Sequence, residues 1–199
     1  MAIARKRNQL TEEEYLASEL TSDIRREYID GEIYAMSGAK MAHNRIVINV
    51  LRTLGNHLEG HPCEPIASDM KVRVEGNYFY PDVMVDCAEL NDDASYTESP
   101  VLIVEVLSRS TRKTDKTLKM AAYKRIPTLK EYILIEQDFV DVEVVRRNQD
   151  WRSAHYFLGD EIYLESIDLS LSVEEIYVRV QNEDITEYFA NKNLTTTGD

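Results

Sequence analysis

Short apolar runs that each contain one carboxylate dominate the middle of the chain. The run Val83 to Asp86 follows Pro81-Asp82, and the run from Val101 to Val106 is aliphatic except for Glu105. Continuous apolar runs of this length are typical of buried strands. A carboxylate in such a run must be paired, protonated or bound to a cation, because burying an isolated charge is costly. We therefore take Asp82 and Glu105 as the central candidate site residues.

The pattern elsewhere predicts an α/β protein with a mixed β-sheet flanked by α-helices, preceded by an N-terminal helix and hairpin. Thr11 to Glu14 is a capping box that opens the first helix, and Asp30-Gly31 favours the tight turn of a hairpin. Helices are predicted over residues 11–20, 40–58, 108–125 and 173–177. Strands are predicted over residues 26–36 (the hairpin), 66–74, 78–86, 101–107, 131–136, 140–147, 151–157 and 162–164.

The helix predicted over residues 108–125 matters for the chemistry because it carries two candidate lysines. Its spacing puts Lys116, Lys119 and Tyr123 on one face. The residues expected to pack inward on another face are Leu118, Ala121 and Ala122.

Length and composition favour one folded domain, since the chain has 199 residues and is 43% hydrophobic. We expect a disordered lead over residues 1–9, a single domain over 10–180, and an acidic helix with a disordered tail over 181–199. No apolar run is long enough for a bilayer and no signal segment follows the basic N-terminus, so a cytoplasmic protein is expected. Cys63 and Cys87 are expected to be ordinary thiols because no second pair accompanies them.

The charge is distributed unevenly along the chain. The net charge of −13 argues against a general nucleic-acid coat protein. The segment from Arg109 to Arg125 nevertheless carries seven basic residues and only one acid, Asp115, which makes it +6 and leaves −19 for the remainder. This segment is either part of a confined phosphate site or simply a solvated helix face.

Two further polar residues lie in positions that allow a role in the site. Glu27 shares a strand face with Ile29, opposite Tyr28, and is either an inward acid or an exposed edge carboxylate. His43 lies in the first turn of the helix predicted over residues 40–58. It either contacts a phosphate or an active-site acid, or it is a surface or cap residue.

Two converging carboxylates are suited to binding Mg²⁺ or Mn²⁺, which prefer oxygen ligands and keep several waters. The main-chain carbonyl of Val106 is a candidate third ligand beside Asp82 and Glu105. Lys119 would stabilise the negative charge that develops on a phosphate and would help keep the two acids ionised. Without a metal, Glu105 would be a structural partner of Lys119, and Asp82 would cap the start of its strand.

The residues in this arrangement resemble the PD-(D/E)xK nuclease superfamily, which has the restriction-endonuclease-like fold. More narrowly, the chain resembles the Uma-type "putative restriction endonuclease" family over roughly residues 10–180. The matching stretches are Arg26 to Glu32, His43, Tyr80 to Val83, Val104 to Ser108, Asp115 to Tyr123 and Glu131 to Leu134. One departure from the superfamily motif is Leu107, which stands where the motif has its lysine.

The resemblance implies a metal, Mg²⁺ or Mn²⁺, held by Asp82 and Glu105, with Glu27 as an auxiliary acid. It implies that the catalytic lysine comes from the following helix, four residues before a tyrosine, which is Lys119; Lys116 is the competing choice. It also implies DNA as the substrate and a homodimer as a common assembly.

The leading functional hypothesis is therefore a metal-dependent DNA endonuclease. The alternative is a catalytically silent module that keeps the nuclease fold and binds nucleic acid or a protein partner. A small-molecule hydrolase of another class has no support, because the chain lacks a Gly-x-Ser-x-Gly elbow, a His-Glu-x-x-His motif and a phosphate-binding glycine loop.

Overall fold

The computed structural model describes residues 9–36 and 38–196, the last four of these by their backbone alone. Its helices are α1 (Glu12–Glu19), α2 (Met41–His57), α3 (Arg112–Thr114), α4 (Met120–Tyr123), α5 (Val173–Ile176) and α6 (Glu183–Thr196), with a π-helical turn at Asp115–Lys119 and a 3₁₀ turn at Arg147–Gln149. Its strands are β1 (Arg26–Ile29), β2 (Glu32–Ala35), β3 (Glu64–Ala67), β4 (Lys71–Val74), β5 (Asn77–Phe79), β6 (Val83–Asp86), β7 (Tyr96–Thr97), β8 (Pro100–Leu107), β9 (Glu131–Glu136), β10 (Val142–Arg146), β11 (Ser153–Tyr156), β12 (Glu161–Leu164) and β13 (Leu169–Ser172).

The strands form two sheets and a separate hairpin. We call the six-stranded sheet, with the order β11-β10-β9-β8-β6-β3, the central sheet; β8 and β9 are its parallel pair. The five-stranded sheet, with the order β2-β1-β5-β4-β7, is the N-terminal sheet, and β12 and β13 form the hairpin. The predicted α/β class, with a mixed sheet, flanking helices and an N-terminal helix and hairpin, is confirmed.

Each face of the central sheet is covered by a different apolar layer. On one face, Val104 and Ile133 belong to the same buried cluster as Val50 of α2 and Ile176 of α5. On the other face, Ile103 and Leu134 join a cluster that includes side chains from β1, β4 and β5. Both faces of β8 are therefore buried, which fits its sequence, aliphatic from Val101 to Leu107 except for Glu105. The one carboxylate of β8, Glu105, lies deep between the layers.

Two predicted strands each prove to be two strands in different sheets. Residues 66–74 divide at a turn near Met70 into the end of β3 and all of β4, and residues 78–86 divide at Tyr80-Pro81-Asp82 into β5 and β6. The prediction of continuous strands is wrong because alternation of apolar residues persists when the chain leaves one sheet and enters another.

The helix predicted over residues 108–125 is observed as a helical segment over residues 112–123, and of the three residues expected to pack inward only Ala122 is buried. Leu118 is 41% exposed and Ala121 is also exposed, whereas Lys119 and Tyr123 are buried. The π-helical turn explains the difference, because one extra residue per turn rotates the following side chains relative to a regular α-helix.

The expectation that Cys63 and Cys87 are separate thiols is contradicted by a disulfide between them. In the antiparallel pair of β3 and β6, Glu64 lies opposite Asp86. Cys63 and Cys87 are the next residues along the two strands, so they also lie opposite each other. The two cysteines are 24 residues apart in the sequence, and their proximity depends on the register of the strands rather than on this spacing. The sequence alone therefore did not indicate the disulfide.

The last described element is α6, whose backbone continues to Thr196, within the segment expected to form an acidic helix and a disordered tail. Residues 1–8 of the expected N-terminal lead, and residues 197–199, lie outside the described residues. Within the described part of the chain, no helix combines the length and apolarity needed to cross a membrane.

Candidate active site

The candidate site lies where the two sheets meet the π-helical turn. Asp82 is in the connection from β5 of the N-terminal sheet to β6 of the central sheet, and Glu105 is on β8. Glu27 comes from β1, while Lys119 ends the π-helical turn. Four residues that are distant in sequence therefore converge because two sheets and one helix pack together.

Lys119 is the centre of this cluster. Its Nζ lies 2.8 Å from Glu27 Oε1, 3.1 Å from Glu105 Oε1 and 3.3 Å from Asp115 Oδ1. The contact with Asp115 is an ion pair without hydrogen-bond geometry. Lys119 is only 5% exposed, so these carboxylates, rather than water, provide most of its electrostatic environment.

The π-helical turn places three polar side chains of one segment toward the core. Asp115, Lys119 and Tyr123 are four residues apart and all buried. The Met120 N–H donates to the Asp115 carbonyl, five residues back, which is the π-helical pattern. The Tyr132 hydroxyl from β9 donates to the same carbonyl at 3.2 Å. This contact satisfies a backbone group at the irregular turn.

Tyr123 completes the surroundings of Glu105. Its hydroxyl donates to Glu105 Oε1 at 3.1 Å, so that oxygen also receives a hydrogen bond besides the one from Lys119. The Tyr123 ring packs edge-to-face on Phe79 and on Tyr132, which fixes its orientation.

Two groups lie close to the same oxygen of Asp82. The Val106 N–H donates to Asp82 Oδ2 at 2.7 Å, and His43 Nε2 lies 3.2 Å from that oxygen. The Val106 contact is a hydrogen bond, whereas the His43 contact is a close approach without hydrogen-bond geometry. The Nδ1 atom of His43 is buried and makes no hydrogen bond to any described residue.

Glu27 points inward rather than lying on an exposed edge. It is buried, and its Oε1 accepts a 3.2 Å hydrogen bond from the Tyr80 N–H besides contacting Lys119. Tyr80 begins the segment that leads to Asp82. Glu27 therefore connects the lysine to the backbone that carries the second carboxylate.

The buried charges shift one another's ionisation. Burial raises the pKa of Glu105 well above its usual value, although Lys119 opposes the shift, and burial also raises the pKa of Asp115. Burial alone would lower the pKa of Lys119, but Glu105, Glu27 and Asp115 together outweigh it and hold that pKa well above 10.5. Lys119 is therefore a permanent cation at neutral pH.

Lys116, the competing lysine, lies elsewhere. Its Nζ is 2.9 Å from Glu143 Oε2 and 3.9 Å from Glu136 Oε1. The π-helical turn thus separates two lysines that a regular helix would place on one face. Sequence spacing could not distinguish them, and only the resemblance favoured Lys119.

Most of the basic segment from Arg109 to Arg125 is neutralised within the protein. Besides the two lysines, three arginines of this segment pair with acids elsewhere in the chain: Arg109 with Asp138, Arg112 with Glu136 and Arg125 with Glu75. Few charges of this segment therefore remain free to bind a phosphate, which weakens the hypothesis of a basic phosphate patch.

Sequence reasoning did not assign Asp115 or Tyr123 to the site. The signal was present, since Asp115, Lys119 and Tyr123 recur at intervals of four in one predicted helix. Because residues four apart share a helix face, this interval indicates that the acid, the lysine and the tyrosine lie on one face of the helix. Val106 was singled out for its carbonyl, but its observed contact with Asp82 is made by its N–H.

The donor set fits a hard divalent cation in charge and chemistry. Four carboxylates and one ammonium leave an excess of three negative charges when all are ionised. Within residues 9–36 and 38–196, no group of three or more His, Cys, Asp and Glu side chains is arranged as a metal site. Two carboxylates with waters remain an ordinary arrangement for Mg²⁺, so Asp82 and Glu105 are the residues that would hold it.

Comparison with known proteins identifies the family. The model of the "Putative restriction endonuclease" family, Uma2, matches residues 12–174. Two uncharacterized proteins of Synechocystis sp., slr1290 and sll1609, are 36% and 35% identical over 174 and 172 residues, covering 85% and 84% of this chain and 92% and 95% of theirs.

A solved structure shows the same fold. It is the crystal structure of a "putative nuclease belonging to DUF820" from Anabaena variabilis, with a TM-score of 0.73 and 17% sequence identity. The match covers 86% of this chain and 99% of that one. The extent of the family match, together with the two relatives, shows that this chain belongs to the Uma2 "Putative restriction endonuclease" family.

Proposed function

We propose that the protein is a metal-dependent endonuclease that hydrolyses DNA phosphodiester bonds. The observation that carries the proposal is the position of Lys119, whose ammonium contacts both Glu105 and Glu27 beside the strand that fixes Asp82. Membership of the family supports the same reaction class. DNA as the substrate, Mg²⁺ or Mn²⁺ as the cofactor and the catalytic roles below are all parts of this proposal.

Asp82 and Glu105 would hold the metal. Bound there, Mg²⁺ supplies Lewis-acid activation of water and neutralises charge on the scissile phosphate. Burial raises the pKa of Glu105, and a bound cation would favour the ionised form that burial disfavours, which supports this assignment. Both contacts of Asp82 involve Oδ2, and Oδ1 takes part in neither of them.

Lys119 acts as a cation and not as a base. Its raised pKa keeps it protonated at neutral pH, so it cannot accept a proton from water. Its charge lowers the electrostatic cost of two ionised acids in a buried site and stabilises negative charge that develops on the phosphate. Glu27 orients the ammonium group from the opposite side and is the auxiliary acid.

Cleavage of supercoiled plasmid and of single-stranded DNA, with Mg²⁺, Mn²⁺ or EDTA, tests the proposal. Glu105→Gln is expected to abolish metal-dependent cutting. Glu136→Gln is the matched control, because Glu136 is a buried acid on neighbouring β9 that pairs with Arg112 rather than Lys119. Equal cutting by wild type and Glu105→Gln would refute the proposed site.

The alternative is a silent nucleic-acid- or protein-binding module, and the surroundings of Lys119 are the observation in its favour. Three carboxylates already lie around an ammonium that has only three donors. Absence of cutting on every substrate, with no Mn²⁺ binding by calorimetry, would favour this module. Mn²⁺ binding that Asp82→Asn removes would support the metal site even without a known substrate.

Two further expectations belong to the same proposal. The homodimer stays a prediction that light scattering on the purified protein would test. A cytoplasmic location stays a prediction as well, which cell fractionation would test.

A further inference from the structure

An exposed tyrosine lies beside the candidate site on an edge strand. In the pairing of β1 with β2, Tyr34 stands directly opposite Glu27. Residues opposite each other on antiparallel strands project from the same face, with Cβ atoms about 5 Å apart. Because Glu27 faces Lys119, Tyr34 lies on the face of the N-terminal sheet that leads to the site.

Tyr34 is accessible, although its hydroxyl already has a partner. The residue is 49% exposed, and β2 is the edge strand of its sheet. Its hydroxyl donates to Glu32 Oε2 at 2.9 Å. Glu32 is on the same strand face, two residues back, so this contact steadies the ring at the rim of the site.

The basic segment beside the site offers few free charges to the backbone of a duplex. Five of the seven basic residues between Arg109 and Arg125 form ion pairs within the protein. The net charge of the chain is −13. Stacking on an aromatic ring supplies affinity for nucleic acid that does not come from phosphate contacts.

We propose that Tyr34 is a stacking platform for an unpaired nucleobase next to the scissile phosphate, and that the substrate is a single-stranded segment of nucleic acid. In a duplex the faces of each base are covered by its neighbours, whereas an unpaired base offers a free face to an aromatic ring. The inference rests on the proposed nuclease function and adds the class of substrate to it.

Fluorescence anisotropy with a fluorescein-labelled single-stranded 15-mer, and with its duplex, tests this inference. Binding is measured in EDTA and again with Ca²⁺, and the strand is checked for integrity afterwards. Tyr34→Ala is expected to weaken single-strand binding at least about 5-fold, because stacking contributes about 1–3 kcal/mol per base. Tyr34→Phe is expected to bind within about 2-fold of wild type, since the ring is retained.

Tyr163→Ala is the matched control. Tyr163 is 50% exposed on β12, and its hydroxyl also donates to a nearby carboxylate, that of Asp168, at 2.7 Å. It lies on the separate hairpin, so its loss should leave binding unchanged. The duplex is expected to bind more weakly than the single strand and to be insensitive to Tyr34→Ala.

Several outcomes would overturn the inference. They are wild-type affinity in Tyr34→Ala, an equal loss in Tyr34→Phe, duplex binding as tight as single-strand binding, or no single-strand binding by wild type. Loss of a dimer in Tyr34→Ala with unchanged DNA affinity would assign the edge strand to a contact between two copies instead.

The nuclease proposal fails or succeeds separately. Loss of cutting in Glu105→Gln, together with unchanged binding in Tyr34→Ala, would keep the nuclease and reject the stacking role. Tyr34-dependent binding without any cutting would support the stacking role and reject the nuclease.

Discussion

Nζ of Lys119 lies 2.8 Å from Oε1 of Glu27, which joins the π-helical turn to the N-terminal sheet across the candidate site. Lys119 also contacts Glu105 of the central sheet. One ammonium group therefore connects the two sheets electrostatically, and its loss should affect both chemistry and stability.

Lys119→Met is expected to reduce cleavage at least about 100-fold, because electrostatic stabilisation of the reacting phosphate is lost. It should also lower the free energy of unfolding by about 3 kcal/mol, since buried carboxylates lose their counter-charge. Lys116→Met is the control, because Lys116 pairs with Glu143 outside the site. Plasmid cleavage and urea unfolding measure the two effects.

A double variant separates charge from packing. Glu105→Gln combined with Lys119→Met should recover part of the stability that Lys119→Met loses, because one unpaired buried charge is removed. A double variant no more stable than Lys119→Met alone would show that the lysine stabilises the protein through packing. Normal cleavage by Lys119→Met with none by Lys116→Met would show that Lys116 is the catalytic lysine.

The stability of the metal-free protein is expected to depend on Glu105 above pH 4.5. Burial raises the pKa of Glu105 in the folded protein above its value in the unfolded chain. The contribution of Glu105 to stability is therefore fully present below pH 4.5 and is lost as the pH rises through the raised pKa. Glu105→Gln cannot ionise, so its stability relative to wild type should increase with pH in this range. Urea unfolding in EDTA from pH 4.5 to 8 measures this trend, and a constant difference would contradict it.

His43→Ala is expected to weaken Mn²⁺ binding about 10-fold, because the ring lies 3.2 Å from Asp82 Oδ2 and helps to position that carboxylate. His43→Gln should restore part of the affinity by supplying an N–H donor. The control is His155→Ala, whose ring contacts Asp141 at 2.8 Å on the β10–β11 pair. Calorimetry measures the affinity, and equal binding by all three variants and wild type would exclude a positioning role for His43.

Replacing both Cys63 and Cys87 with Ala should lower the free energy of unfolding by about 3 kcal/mol, the chain-entropy value for a loop of this length. A reductant should destabilise wild type but not the double variant, and urea unfolding with and without dithiothreitol measures both. Alkylation of both cysteines in unreduced, denatured wild type would contradict the disulfide.

Sequence reasoning succeeded where local pattern and burial coincide. The apolar run of β8, interrupted only by Glu105, indicated a buried strand, and Asp30-Gly31 indicated the hairpin, whose two turn residues both have positive φ. The inward position of Glu27 followed from strand alternation but remained one of two alternatives, because alternation cannot show which face is covered.

The remaining features depend on contacts between distant segments. The change of sheet at Tyr80 to Asp82 is marked in the sequence only by Pro81, and the π-helical turn leaves no signature in the spacing of Lys116 and Lys119. The disulfide required the register of β3 on β6. Each is decided by packing of the whole domain, which a single sequence does not display.

The distribution of the site's carboxylates over two sheets has a mechanical consequence. Glu105 and Asp82 are both fixed to the central sheet, Asp82 through its hydrogen bond to the Val106 N–H, whereas Glu27 belongs to the N-terminal sheet. The distance of Glu27 from the other two carboxylates therefore depends on how the two sheets pack against each other. A substitution far from the site that tilts the N-terminal sheet should therefore slow the reaction, even though it changes no residue of the site.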